Sequence, residues 1–172
     1  MSKYKIPEKV AAFFRGLIRL EPLLEVAVTG LKKSGVTEKN ESRYAERILG
    51  AGVRLKLDKK RAIEILEILK VNPKLNQENQ MKLGIALNRC FDDLERKDDG
   101  SLQELATAAY RVLLAKNLTS AIAEKTLVEL IAKHGSFTQA RDLLENEAIR
   151  YPDNLGIVID RVTNMGVESL PA

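Results

Sequence analysis

The stretches RYAERILGAGVRL, Arg43 to Leu55, and QENQMKLGIALNR, Gln77 to Arg89, decide how this chain is read. Each sets apolar residues at helical spacing around a Leu-Gly pair, and Leu49-Gly50 recurs as Leu83-Gly84 after 34 residues. Self-similarity at such a period is the signature of stacked helical units. Small residues at Gly50 and Gly84 would let helices approach closely, with Leu49, Val53, Leu83 and Leu87 filling the seam.

A unit begun at Arg43 places Ala62, Leu66 and Leu69 on a second helix that stops at Pro73. A second unit, begun at Gln77, needs ten extra residues within Phe91 to Gly100, where FDDLERKDDG reads as a helix prolonged by extra turns and then a polar turn. After it, Ala106, Tyr110 and Leu113 take the places of Ala62, Leu66 and Leu69. A third unit, Ala121 to Asn154, carries Leu127, Val128, Ile131, Ala140 and Leu144 without interruption. Ser101-Leu-Gln-Glu104 and Ser136-Phe-Thr-Gln139 read as capping boxes that start helices, while Gly135 and Pro152 read as stops.

These positions resemble the tetratricopeptide repeat over residues 43 to 154, although the fourth position of each unit lacks the bulky aromatic of that family. The resemblance implies an all-α fold, a short right-handed superhelix of antiparallel helix pairs with three units at 43–76, 77–120 and 121–154. Outside them, residues 1–36 read as N-terminal helices. Pro7 opens one that runs to about Leu20, and Pro22 breaks or kinks the path before another that runs to about Lys33. Residues 155–166 read as a capping helix and 167–172 as a loose tail, making 1–172 one domain.

The same resemblance implies a concave groove lined by the first helix of each unit. Its expected partner-binding residues are Tyr44, Arg47 and Arg54, then Met81, Asn88 and Arg89, then Lys125 and Lys133, with Ile85 and Ile122 among the apolar contacts. Lys and Arg outnumber Glu there, so the expected partner is a protein or peptide that is acidic and partly apolar, held by an adaptor or chaperone-like module. The carboxylate clamp of some family members is not matched, because Ala51 and Lys82 stand where its asparagines belong.

An alternative reading starts from charge. Residues 1–70 carry a net charge of +7 and the remainder −3. Arg54, Lys56, Lys59, Lys60 and Arg61 crowd one predicted turn, which would suit electrostatic binding of nucleic acid, although no aromatics interleave with them.

Other chemistry finds little material. One cysteine, Cys90, and one histidine, His134, give no internal disulfide and no zinc set, so a reducing, cytoplasmic setting is expected. Gly50-Ala-Gly52 falls short of a dinucleotide fingerprint, and Asp92 to Gly100 departs from a calcium loop at Lys97 and Ala106. No cofactor, no metal and no enzymatic activity is expected. Arg15, Arg19, Glu21 and Glu25 interrupt the apolar stretch from Val10 to Val28, which excludes a membrane span. Phe13, Phe14, Leu17, Ile18 and Leu20 there read as a cap on the first unit rather than a membrane-surface helix. Exposed apolar ends of a short solenoid can pair, so a homo-oligomer is one expectation.

Overall fold

Helix starts in this chain are set by short polar side chains that take up free N–H groups of the first turn. The computed structural model describes residues 7–33, 35–72 and 74–168, with the backbone alone for 13–19 and 168. Among these run eight helices: α1 Glu8–Lys32, α2 Glu38–Arg54, α3 Lys59–Val71, α4 Gln77–Lys97, α5 Ser101–Ala115, α6 Ala121–His134, α7 Phe137–Glu145 and α8 Pro152–Glu168. The side chains of Thr37, Asp58, Asn76, Ser120 and Ser136 each accept from the backbone N–H three residues on, at 2.9 to 3.3 Å. Ser136 completes its capping box with Gln139. Ser101 forms none: it is already helical, and the cap is Gly100, at a φ of +81° shortly after Asp98 at +47°. That left-handed turn brings the Asp99 carboxylate onto the Ser101 N–H at 3.1 Å, and Glu104 pairs with Lys59 instead.

Both prolines expected to interrupt helices do otherwise. Pro22 lies inside α1, so the segment expected as two helices is one. A helix survives the hydrogen bond that proline removes when burial holds it in place, and Leu24, Ala27, Val28 and Leu31 are buried beyond Pro22, with α1 packed on α2. Pro152 opens α8 instead of closing α7, as suits a residue with no N–H to leave unpaired. The stop of α7 is the turn at Asn146 and Glu147, the latter at a φ of +49°. Gly135 does stop α6, in extended conformation. Glycine is needed there because a Cβ would lie 2.6 Å from the Ile131 carbonyl oxygen. Pro73 and residues 169–172 of the expected tail lie outside the described residues.

The helices form two layers. α2, α4, α6 and α8 lie side by side in one; α1, α3, α5 and α7 form the other, each against the even-numbered helix that follows it. α3 therefore packs on α4 and α5 and makes no close approach to α2, its intended partner in the unit 43–76. A single apolar core runs between the layers from Leu24 to Val158.

A polar device repeats along the even layer. Counted from the N-cap, Glu41, Gln80 and Glu124 all occupy the fourth helical position, and each accepts N–H groups at the start of the next even helix. Glu41 Oε1 accepts from the Asn76 N–H at 3.0 Å and from Asn79 Nδ2 at 2.7 Å. Gln80 Oε1 accepts from the N–H groups of Thr119 and Ser120 at 2.7 and 3.1 Å. The Glu124 carboxylate accepts from the N–H groups of Arg150 and Tyr151 at 3.1 and 3.2 Å, and from Asn154 Nδ2 at 3.0 Å. All three side chains are buried. Position 80 is an amide because its Nε2 donates to the carbonyls of Leu75 and Asn117. A carboxylate there would face two acceptors with no proton to offer.

This device fixes the register. Ala45, Gly84 and Val128 share the eighth position, and Ile48, Leu87 and Ile131 the eleventh, all buried. Leu49-Gly50 is therefore not the counterpart of Leu83-Gly84, and the first unit begins at Glu38 rather than Arg43. Val53, expected in the seam, is 52% exposed. A Cβ on Gly84 would lie 2.9 Å from Ala123 Cα, whereas one on Gly50 would meet nothing within 4 Å.

Denaturant unfolding separates the two registers. Gly84→Ala should destabilise by about 1–3 kcal/mol through overpacking, while Gly50→Ala should be neutral or stabilise by up to about 1 kcal/mol. Equal losses at both glycines would restore the 34-residue equivalence. Glu124→Ala, which takes the acceptor from the part-buried N–H groups of Arg150 and Tyr151 and leaves Asn154 Nδ2 with the Ala121 carbonyl alone, should cost about 1–3 kcal/mol.

Candidate functional site

The face of the even layer turned away from the odd helices carries the second and fifth positions of each helix. Between α4 and α6 it opens into a hollow of about 460 Å³ lined by Gln77, Glu78, Met81, Ser120, Ala121 and Ile122. Between α6 and α8 lies another of about 450 Å³, where Ile122 and Lys125 meet Tyr151, Pro152 and Ile157. Ala121 and Ile122 line both, so the hollows form one shallow groove at the N-terminal ends of three helices. Ile122 is 48% exposed at its centre. Lys125, exposed at the rim, has Glu129 at 3.9 Å as an ion-pair partner.

Of the expected partner-binding residues, the structure brings Met81 and Lys125 to this groove, flanking Ile122. Asn88 and Lys133 meet elsewhere, around a hollow of about 20 Å³ between the C-terminal halves of α4 and α6, with Phe91, Leu102 and His134. That space holds about one water. Arg89 is exposed beside Asn88. Tyr44, Arg47 and Arg54 belong to a different face, because the corrected register rotates α2 relative to the expectation. Its residues equivalent to Met81 and Lys125 are Ser42, and to Glu78 and Ile122, Lys39. With the arginines of α2 elsewhere, this surface is an apolar groove with mixed charge at its rim rather than a basic one.

The basic cluster is partly neutralised. Arg61 reaches across to α1, pairing with Glu25 and, at 3.8 Å, with Glu21, and also binds Glu64 at 2.9 Å. These partners hold its guanidinium above the usual arginine range, the Glu25 hydrogen bond foremost, and hold Glu25 below the usual carboxylate range. Lys59 pairs with Glu104 at 2.5 Å, which raises its ammonium likewise. Arg54, Lys56 and Lys60 remain exposed, and Lys56 adopts a φ of +57° in the turn. Arg61 and Lys59 thus tie α3 to α1 and to α5.

Sequence reading passed over Glu41, Gln80 and Glu124, which organise the N-terminal ends that frame the groove. Their signal is a Thr, Asn or Ser followed four residues later by Glu or Gln: Thr37 and Glu41, Asn76 and Gln80, Ser120 and Glu124. A capping box has its acid one residue earlier, so this spacing points the side chain at a neighbouring helix instead of its own first turn. Among the described residues no helix is long and apolar enough to cross a membrane. The side chains of Phe13, Phe14, Leu17 and Ile18, expected to cap the first unit, lie outside the described residues.

No family model, curated protein or solved structure matches this chain.

Cys90 is fully buried, and its thiol donates to the Leu57 carbonyl at 3.1 Å. Burial, aided by Asp93 and Asp58, pushes it up to about 12. Its thiolate fraction at pH 8 is therefore about a thousandfold below that of an exposed cysteine. A disulfide reagent at pH 8 should leave the native protein unlabelled over minutes and label it at once in denaturant. Because the folded value lies above the unfolded one, the stability that burial of the neutral thiol contributes is present below about pH 8.5 and is lost as pH rises toward 12.

Proposed function

We propose that this protein is an interaction module that seats a mainly apolar segment of a partner protein, carrying a carboxylate, in the groove across α4, α6 and α8. The single observation that carries this reading is Ile122, half exposed where two hollows join. Apolar side chains of the segment would cover Met81, Ile122 and Ile157, displacing water from area that the fold leaves uncovered. A carboxylate of the segment would reach Lys125, whose partner in the fold is distant. Met81 can adapt its shape to the occupant. The reading makes the protein an adaptor or chaperone-like binder, and a lone thiol suits a reducing, cytoplasmic setting. The engagement of Lys59 and Arg61 by acids weighs against the alternative of nucleic-acid binding through the α2–α3 turn.

Affinity capture from the native host, with Met81→Glu plus Ile122→Glu as control, tests it. The double variant should keep its helicity by circular dichroism and lose at least tenfold in recovery of the partner. Undiminished recovery would contradict the groove. Salt-sensitive binding of random-sequence RNA or DNA that is removed by Arg54→Glu plus Lys60→Glu would instead favour the nucleic-acid reading.

A further inference from the structure

Within the even layer, the third, sixth, seventh and tenth positions of a helix face the even helix before it. On α4 these are Asn79, Lys82, Leu83 and Ala86. Asn79 is bonded to Glu41, Lys82 is paired with Glu46 of α2 at 2.6 Å, and Leu83 and Ala86 are fully buried. On α6 they are Ala123, Thr126, Leu127 and Leu130, buried likewise. On α2 they are Asn40, Arg43, Tyr44 and Arg47; among the described residues no even helix precedes, and the Tyr44 ring lies against Gly30 of α1. Asn40 and Arg43 are exposed and the other two half-buried.

This edge has the features of a docking surface of one chemistry. Arg43, Arg47 and, two turns further along the same stripe, Arg54 have no ion-pair partner among the described residues. Neither does the N–H of Val36 or Thr37 have a hydrogen-bond partner there, although the equivalent groups of α6 and α8 are held by Gln80 and Glu124. Asn40 stands where Asn79 and Asn154 offer Nδ2 to a glutamate. Beside the stripe, α1 and α2 enclose a hollow of about 310 Å³ between Val26, Thr29, Gly30, Val36 and Tyr44, with Glu25 and Lys33 at its margin and Val26 51% exposed. The nearby acids of α1, Glu21 and Glu25, are taken up by Arg61.

We propose that this edge docks an acidic amphipathic helix of a partner protein, which joins the even layer as its first member. A glutamate of that helix would accept from the Val36 and Thr37 N–H groups and from Asn40, as Glu124 does at α8. Apolar residues one turn on would fill the hollow over Val26 and Tyr44, and further carboxylates would meet Arg43, Arg47 and Arg54. A second copy of this chain is a poor occupant: the far end of the layer presents Leu155 at the fourth position, followed by Ile159 and Val162, apolar residues opposite three arginines. This surface is separate from the groove at Met81 and Ile122.

The probe is an alanine-based helical peptide of about 18 residues with Glu at the fourth position, Leu at the eighth and two further Glu along the same face. A second peptide carries Gln for each Glu. Amide NMR titration of the full chain should shift Val36, Thr37 and Asn40. The affinity should fall at least tenfold with the Gln peptide and with Arg43→Gln plus Arg47→Gln, and should be unchanged in Met81→Glu plus Ile122→Glu. Absence of binding at millimolar peptide, equal binding of the Gln peptide, or shifts centred on Met81 and Ile122 would overturn the proposal. So would displacement of the peptide by a random oligonucleotide at equal concentration. Concentration-dependent dimerisation that the arginine substitutions abolish would assign the edge to a second copy and overturn it equally.

Discussion

The arrangement depends on one repeated interaction, a buried Glu or Gln in the second turn of an even helix that accepts the N–H groups at the start of the next. Helix N-termini carry unpaired donors that water would otherwise satisfy. When helices lie parallel and level, these donors come beside a neighbour's second turn, and an acceptor placed there satisfies them in a buried site. Apolar packing alone tolerates sliding by a turn; a side chain that must find particular N–H groups does not. The level of each even helix is thereby fixed, and the odd helices follow through the shared core.

The two surfaces proposed for partners follow from this alignment. Level N-terminal ends bring Met81 and Ile157 to adjoining hollows that share Ala121 and Ile122, which joins the outer groove from α4 to α8. The same rule leaves the start of α2 without an acceptor among the described residues, so the first edge leaves open N–H groups of the kind that the inner helices have held, beside Arg43, Arg47 and Arg54. An uncovered edge of a helical array needs polar residues to stay solvated, and the Arg43, Arg47 and Arg54 stripe meets that need. Its hollow and unheld N–H groups go further than solubility requires.

Much of the fold was legible from helical periodicity and from punctuation. Ser136 with Gln139, the prolonged α4 and the positions of Ala62, Ala106 and Ala140 in the core all follow from local chemistry and spacing. The register of the first unit was not, because Leu49-Gly50 imitates Leu83-Gly84 in composition while only Gly84 touches another backbone. Ala45 serves the same purpose five residues earlier and looks like any helix former. Prolines misled for a related reason: Pro22 and Pro152 are both compatible with helix, the one held by burial beyond it and the other at a first turn. Met81, Ile122 and Lys125, expected on one face, line two adjoining hollows because the second and third units keep their expected register. Tyr44, Arg47 and Arg54 were assigned to the groove through the slipped register of α2 and lie on its edge.

Native-state hydrogen exchange resolved by residue reads the central interaction directly, because N-terminal amides of a helix exchange freely unless another side chain holds them. Protection is expected at Asn76, Thr119, Ser120, Arg150 and Tyr151, together with rapid exchange at Val36 and Thr37. Equally rapid exchange at all seven amides would contradict it, as would protection at Val36 and Thr37 in the isolated chain.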